Sequence, residues 1–183
     1  MAHQAVRISV LTSVPAELPV GNWLARRAGL LDAVDVDFID LETARLPDHR
    51  AAILPDEGAQ PSAVHDLVPW LLDADGFIVV LLGRLEGIPS PVRNALEWCT
   101  TAWAGKPVAL VTNSHAHPDP QALRHIRAAF GRQQAMVTGT TGVCPDRLGC
   151  STHCHPDQAN TTDRLLAALV AAARHARISH DNL

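Results

Sequence analysis

Three apolar runs organise this chain. Val6–Leu11 alternates, with Val6, Ile8 and Val10 on one face, while Gly76–Leu82 is almost continuously apolar. Val108–Val111 is a second continuous run, introduced by Gly105-Lys106-Pro107. Strands apolar on both faces belong to parallel sheets covered by helices on each side. The pattern therefore predicts Val6–Leu11, Phe77–Leu82 and Val108–Thr112 as central strands. Asp35–Leu41 differs, because Asp35 and Asp37 alternate with Val36 and Phe38, which suits an exposed edge. Ala135–Val143 reads as a fifth strand, interrupted at Gly139.

Helical patterns fill the intervals. They are predicted over Val20–Leu31 and over Ser62–Ala74, the second with Ser62 as N-cap and Pro69 as a kink. A third helix starts at Ser90-Pro91, where proline loses no needed hydrogen bond. The fourth is Gln121–Arg132, with Leu123, Ile126, Arg127 and Phe130 as its stripe. The last begins near Asn160 and buries Leu165, Leu166, Leu169, Val170 and Ala173. The polar tail, 178–183, is expected to fray. Glu42–Gln60 and Cys144–Gln158 read as irregular. Five strands alternating with helices predict a single α/β domain over 1–183, a doubly wound parallel sheet of order 2-1-3-4-5. That order puts Asp35–Leu41 at an edge. The loops after strands one, three and four then form a crevice at the carboxyl end of the sheet, and Leu82–Ser90 is the most functional of them.

Composition narrows the reading. With 183 residues, 47% of them hydrophobic, the chain suits one core. A net charge of −4 gives no footprint for nucleic acid or an anionic membrane. No window approaches the ~18 apolar residues of a membrane span. The N-terminus moves straight into a strand pattern rather than a signal peptide, so a soluble, cytoplasmic protein is expected. Trp23, Trp70, Trp98 and Trp103 fall in helical segments and read as core or subunit-interface residues, and Cys99 as core.

Several segments resemble the NAD(P)H-dependent FMN reductase family, a branch of the flavodoxin-like proteins. They are "FIDLETARLPDH", "LLDADGFIVV", "IPSPVRNALEW" (through Pro89, Ser90, Val92, Arg93, Asn94, Ala95, Glu97 and Trp98) and "GKPVALV". The resemblance covers roughly Val6 to Val137. It implies a flavodoxin-like fold, FMN as cofactor, NADPH or NADH as reductant, a small acceptor such as a flavin or quinone, and a homodimer. It also implies that Thr12, Ser13 and Asn22 meet the FMN phosphate. Leu82, Gly83, Arg84 and Leu85 would meet the flavin ring, with Asn113, Ser114, His115 and His117 on its other side. The family's phosphate loop is Gly-Ser-x-Arg. Here Pro15 stands at the arginine position, and Glu17 adds a negative charge. The family's Pro-Glu-Tyr-Asn after strand three is Leu82-Gly83-Arg84-Leu85, and its glycine-rich turn after strand four is Asn113–Pro118.

The candidate catalytic residues are Arg84, His115 and His117. Arg84 is a cation for a flavin edge or an anionic substrate; the plain alternative is an ion pair with Glu86 or Glu57. His115 and His117 suit proton transfer or metal ligation, against a solvated loop. Cys144, Cys150, Cys154 and His155 form a candidate zinc or iron set, against a loop with incidental thiols. Two other readings compete with the flavin enzyme: a scaffold that has lost FMN and acts as a metal-binding or otherwise divergent enzyme, or a non-catalytic accessory subunit.

Overall fold

In a computed structural model, residues 5–48, 61–82, 87–113, 120–144 and 156–181 are described. Strands β1 (Val6–Thr12), β2 (Val34–Asp40), β3 (Gly76–Leu82), β4 (Pro107–Asn113) and β5 (Met136–Val143) form one sheet of order β2-β1-β3-β4-β5. Every pairing is parallel. The expected fold class and strand order are therefore observed, with β2 at an edge and none of its residues fully buried.

Side-chain alternation explains the two-sided packing. In β3, Phe77, Val79 and Leu81 face one core, and Ile78 and Val80 face the other. In β4, Val108 and Leu110 divide in the same way from Ala109 and Val111. The first core is closed by α2 (Ser62–Asp73), α3 (Ser90–Trp98) and α4 (Pro120–Arg132). The second is closed by α1 (Leu18–Ala28) and α5 (Pro156–Asp181).

Local chemistry moves several boundaries from their expected places. Helix α1 starts at Leu18, with Pro19 tolerated in its first turn, and stops at Ala28 rather than Leu31. Gly29 follows it, and Ala33 takes a φ of 51° on the way into β2. Ser62 is not the N-cap; Pro61 holds that position, without a side-chain cap bond. Pro69 remains inside α2, whose C-terminus is held by Lys106, with Nζ donating to the carbonyls of Leu71 and Leu72 at 2.8 and 2.7 Å. The buried stripe of α4 is Ala122, Ile126, Ala129 and Phe130. Arg127 is exposed instead and donates to Thr140 Oγ1 at 3.0 Å.

Strand β5 continues past Gly139. The register steps from Val108↔Val137 to Ala109↔Gly139, so Thr138 is an extra residue, a β-bulge. A Cβ at Gly139 would lie 2.5 Å from Leu165 Cδ1, so glycine lets α5 approach the bulged strand. Helix α5 begins at Pro156, earlier than expected, and continues to Asp181. Trp103 lies just past a 3-10 turn (Thr100–Ala102) rather than within a helix. It is fully buried, whereas Trp70 is 55% exposed. Cys99 is buried, and burial pushes its thiol up to about 11, which keeps it unreactive.

Candidate functional site

The β1 chain leaves the sheet at Thr12 and turns through Ser13 and Val14. It then enters a one-turn 3-10 segment, Pro15–Glu17, which leads directly into α1. Backbone N–H groups in such a strand-loop-helix passage converge on an anion. Here that anion belongs to the chain. Glu17 is fully buried, and its Oε2 accepts from Ser13 N at 2.5 Å, Ser13 Oγ at 3.1 Å and Val14 N at 3.3 Å. Its Oε1 lies 3.2 Å from the same hydroxyl. Strand β3 also packs against this Pro15–Glu17 turn. The local reason is helical: Glu17 is the third residue of the turn and reaches back to the residue preceding it, half of a capping box. Its position is nonetheless the β1/β3 switch point, where flavodoxin-like sheets hold ligands.

Two further groups surround this cradle. Asn113, the last residue of β4, donates through Nδ2 to the Ala16 carbonyl at 2.7 Å, tying the third strand end to the loop. Its Oδ1 is buried and has no partner among the described residues, as is Thr12 Oγ1. Thr12, Ser13, Leu82 and Asn113 thus stand at the ends of β1, β3 and β4 or directly after them. Asn22 is exposed on α1. Gly83, Arg84, Leu85, Ser114, His115 and His117 lie outside the described residues, as do Cys150, Cys154 and His155. Cys144 is buried directly after β5. Among the described residues no His/Cys/Asp/Glu group could hold a metal ion. No helix among them is long and apolar enough to cross a membrane.

Sequence reasoning noted Glu17 only as a misplaced charge. The usable signal was a carboxylate two residues after Pro15 in a loop that presents free amides. Burial raises the Glu17 carboxyl above its ordinary value, and the bonds from Ser13 and Val14 partly hold it down. The folded protein therefore takes up this proton more readily than the unfolded chain. Its contribution to stability is fully present below the unfolded value of about 4.3 and is lost as pH rises through the raised folded value. Against Glu17→Gln, the wild type is expected to gain relative stability as pH falls from neutral towards 4. Melting temperatures of both proteins at stepped pH measure this. A difference independent of pH would show that Glu17 ionises as it does in the unfolded chain.

A parallel sheet of this order, with its anion cradle at the β1/β3 switch point, defines the flavodoxin-like class of α/β proteins. Residues 19–145 match the NADPH-dependent FMN reductase family, and the chain belongs to that family. It has the FMN-binding oxidoreductase fold of enzymes that transfer electrons from NAD(P)H to small acceptors. The structure is similar to an oxidoreductase from Corynebacterium diphtheriae, at 14% identity and TM-score 0.64, covering 94% of this chain and 97% of that one. It is also similar to the flavoenzyme NAD(P)H:(acceptor) oxidoreductase FerB from Paracoccus denitrificans, at 14% identity and TM-score 0.65, covering 94% and 99%. A Megasphaera elsdenii flavodoxin gives 15% identity and TM-score 0.56, covering 90% and 98%. No curated protein matches the chain in sequence.

The donor set tests whether FMN fits. Its phosphate would need the amides and hydroxyl that the Glu17 carboxylate already holds. Pro15 offers no amide, and among the described residues no cation pairs with Glu17. A phosphate does not fit this cradle with Glu17 in place. The family match begins at residue 19, past β1 and Glu17, so the cradle lies outside the matched residues.

Proposed function

We propose that this chain is an NAD(P)H-dependent reductase of a small acceptor, such as a flavin or a quinone, working in the crevice at the ends of β1, β3 and β4. A flavin ring supplies hydride and electron transfer where one is bound, and the protein supplies position and environment. The observation that carries this reading is the convergence of three strand ends on one polar cluster. The Pro15–Glu17 turn packs against β3, Asn113 joins the β1 loop to β4, and the buried Asn113 Oδ1 has no partner among the described residues. In this reading Arg84, His115 and His117 are the candidate residues that orient the acceptor or move its proton. A homodimer in the cytoplasm completes the proposal.

The test is acceptor-dependent consumption of NADPH and NADH by purified protein, with riboflavin, FMN and a soluble quinone as separate acceptors. Turnover with at least one acceptor is expected, and Asn113→Leu should reduce it. No turnover with any acceptor and either nucleotide would overturn the reading.

A further inference from the structure

Resting on the reading of the crevice as a flavin site, we propose that Glu17 makes it select a flavin lacking the phosphate, of the riboflavin type, over FMN. Three observations converge on this. First, the cradle is complete without a ligand: a fully buried carboxylate takes two backbone amides and a hydroxyl from the β1 loop. A phosphate would compete for the same donors and place a second negative charge beside a desolvated one. Like charges sharing a buried site cannot both stay ionised without a large penalty.

Second, the polar atoms left unpartnered among the described residues do not suit a phosphate. Asn113 Nδ2 is committed to the Ala16 carbonyl, so its buried Oδ1 can only accept. A phosphate dianion has no proton to give it, whereas the hydroxyls of a ribityl chain do. Third, the loop supplies no compensating charge: Pro15 removes one amide, and no cation meets Glu17 among the described residues. The carboxylate therefore acts as an internal stand-in for the anion, and a neutral, hydroxyl-bearing ligand remains the complementary partner.

The proposal is tested by binding, without turnover. Riboflavin and FMN are titrated with apo protein, and quenching of their fluorescence is followed for the wild type, Glu17→Gln and Glu17→Ala. The wild type is expected to bind riboflavin at least as tightly as FMN. Both variants should shift the Kd ratio towards FMN by about tenfold or more, the scale of a lost repulsion or a regained charge-assisted bond. Inorganic phosphate should raise the melting temperature of Glu17→Ala, whose amides are vacated, and not that of the wild type. If Glu17→Ala fails to fold, the isosteric Glu17→Gln and the wild-type ratio still decide. FMN binding tenfold tighter than riboflavin in the wild type, or a ratio unchanged in the folded variants, overturns the selectivity while leaving the flavin site standing. Failure of both flavins to bind any of the proteins overturns the site and the selectivity together.

Discussion

Trp103→Ala is expected to cost about 3–5 kcal/mol of folding stability, the range for emptying a large buried aromatic site. Trp103 is fully buried between the sheet and α4. Its ring sits 4.5 Å from Phe77 of β3 and 5.6 Å from Phe130 of α4, the second contact edge-on. Such aromatic pairs add to the burial term. The indole N–H also donates to the Ala95 carbonyl at 3.3 Å, which joins α3 to the same cluster. Removing the side chain therefore opens a void shared by three elements, which cannot all collapse into it. For a domain of this size the melting temperature should fall by roughly 6–20 °C. Trp70→Ala is the comparison: its side chain is 55% exposed, and the change should be small. Thermal unfolding followed by circular dichroism measures both. Equal effects from the two would show that the Trp103 cluster does not carry the core.

Gly76→Val should also destabilise, by about 1–3 kcal/mol, the usual range for overpacking. Gly76 opens β3 opposite Ile8. A Cβ there would meet Pro107 Cγ and the Pro107 carbonyl oxygen at 3.2 Å, and Ile8 Cδ1 at 3.3 Å. Valine has higher strand propensity and less freedom in the unfolded chain, both of which favour the folded state. Strain wins because one of the crowding atoms is sheet backbone, which cannot move without disturbing β4. Gly131→Ala has the opposite expectation. Gly131 lies on the exposed side of α4, nothing lies within 4 Å of a Cβ placed there, and alanine should gain up to about 1 kcal/mol. Denaturant midpoints of the three proteins test the pair. A Gly76→Val protein as stable as the wild type would mean that the β1 and β4 ends yield freely.

The scaffold was legible because its signals are local. Five strands, their order and the edge position of β2 follow from whether apolar residues run continuously or alternate with acids. Phe77–Leu82 and Val108–Val111 can be nothing but doubly covered strands, whereas Asp35 and Asp37 leave β2 room only at the margin. Boundaries were less legible where two local preferences compete. Ser62 is a favoured cap, yet Pro61 holds the position, and the apolar stripe of α4 rests on two alanines that periodicity ranked below Leu123 and Arg127. Glycine is needed at 139, beside the bulge, because Leu165 comes in from a helix distant in sequence.

At the crevice the sequence determined the cast, placing Thr12, Ser13, Leu82 and Asn113 at strand ends and putting Pro15 where the family carries its arginine. Tertiary structure decided that Glu17 is buried. In sequence its place two residues after Pro15 puts it within reach of the loop amides, but nothing local shows that it loses its water. Burial under the β1 loop and beside β3 strips its water, and the Ser13 and Val14 amides with the Ser13 hydroxyl take its place. An ionisable side chain takes its role from what surrounds it, and those surroundings come from strands about seventy residues apart in the chain.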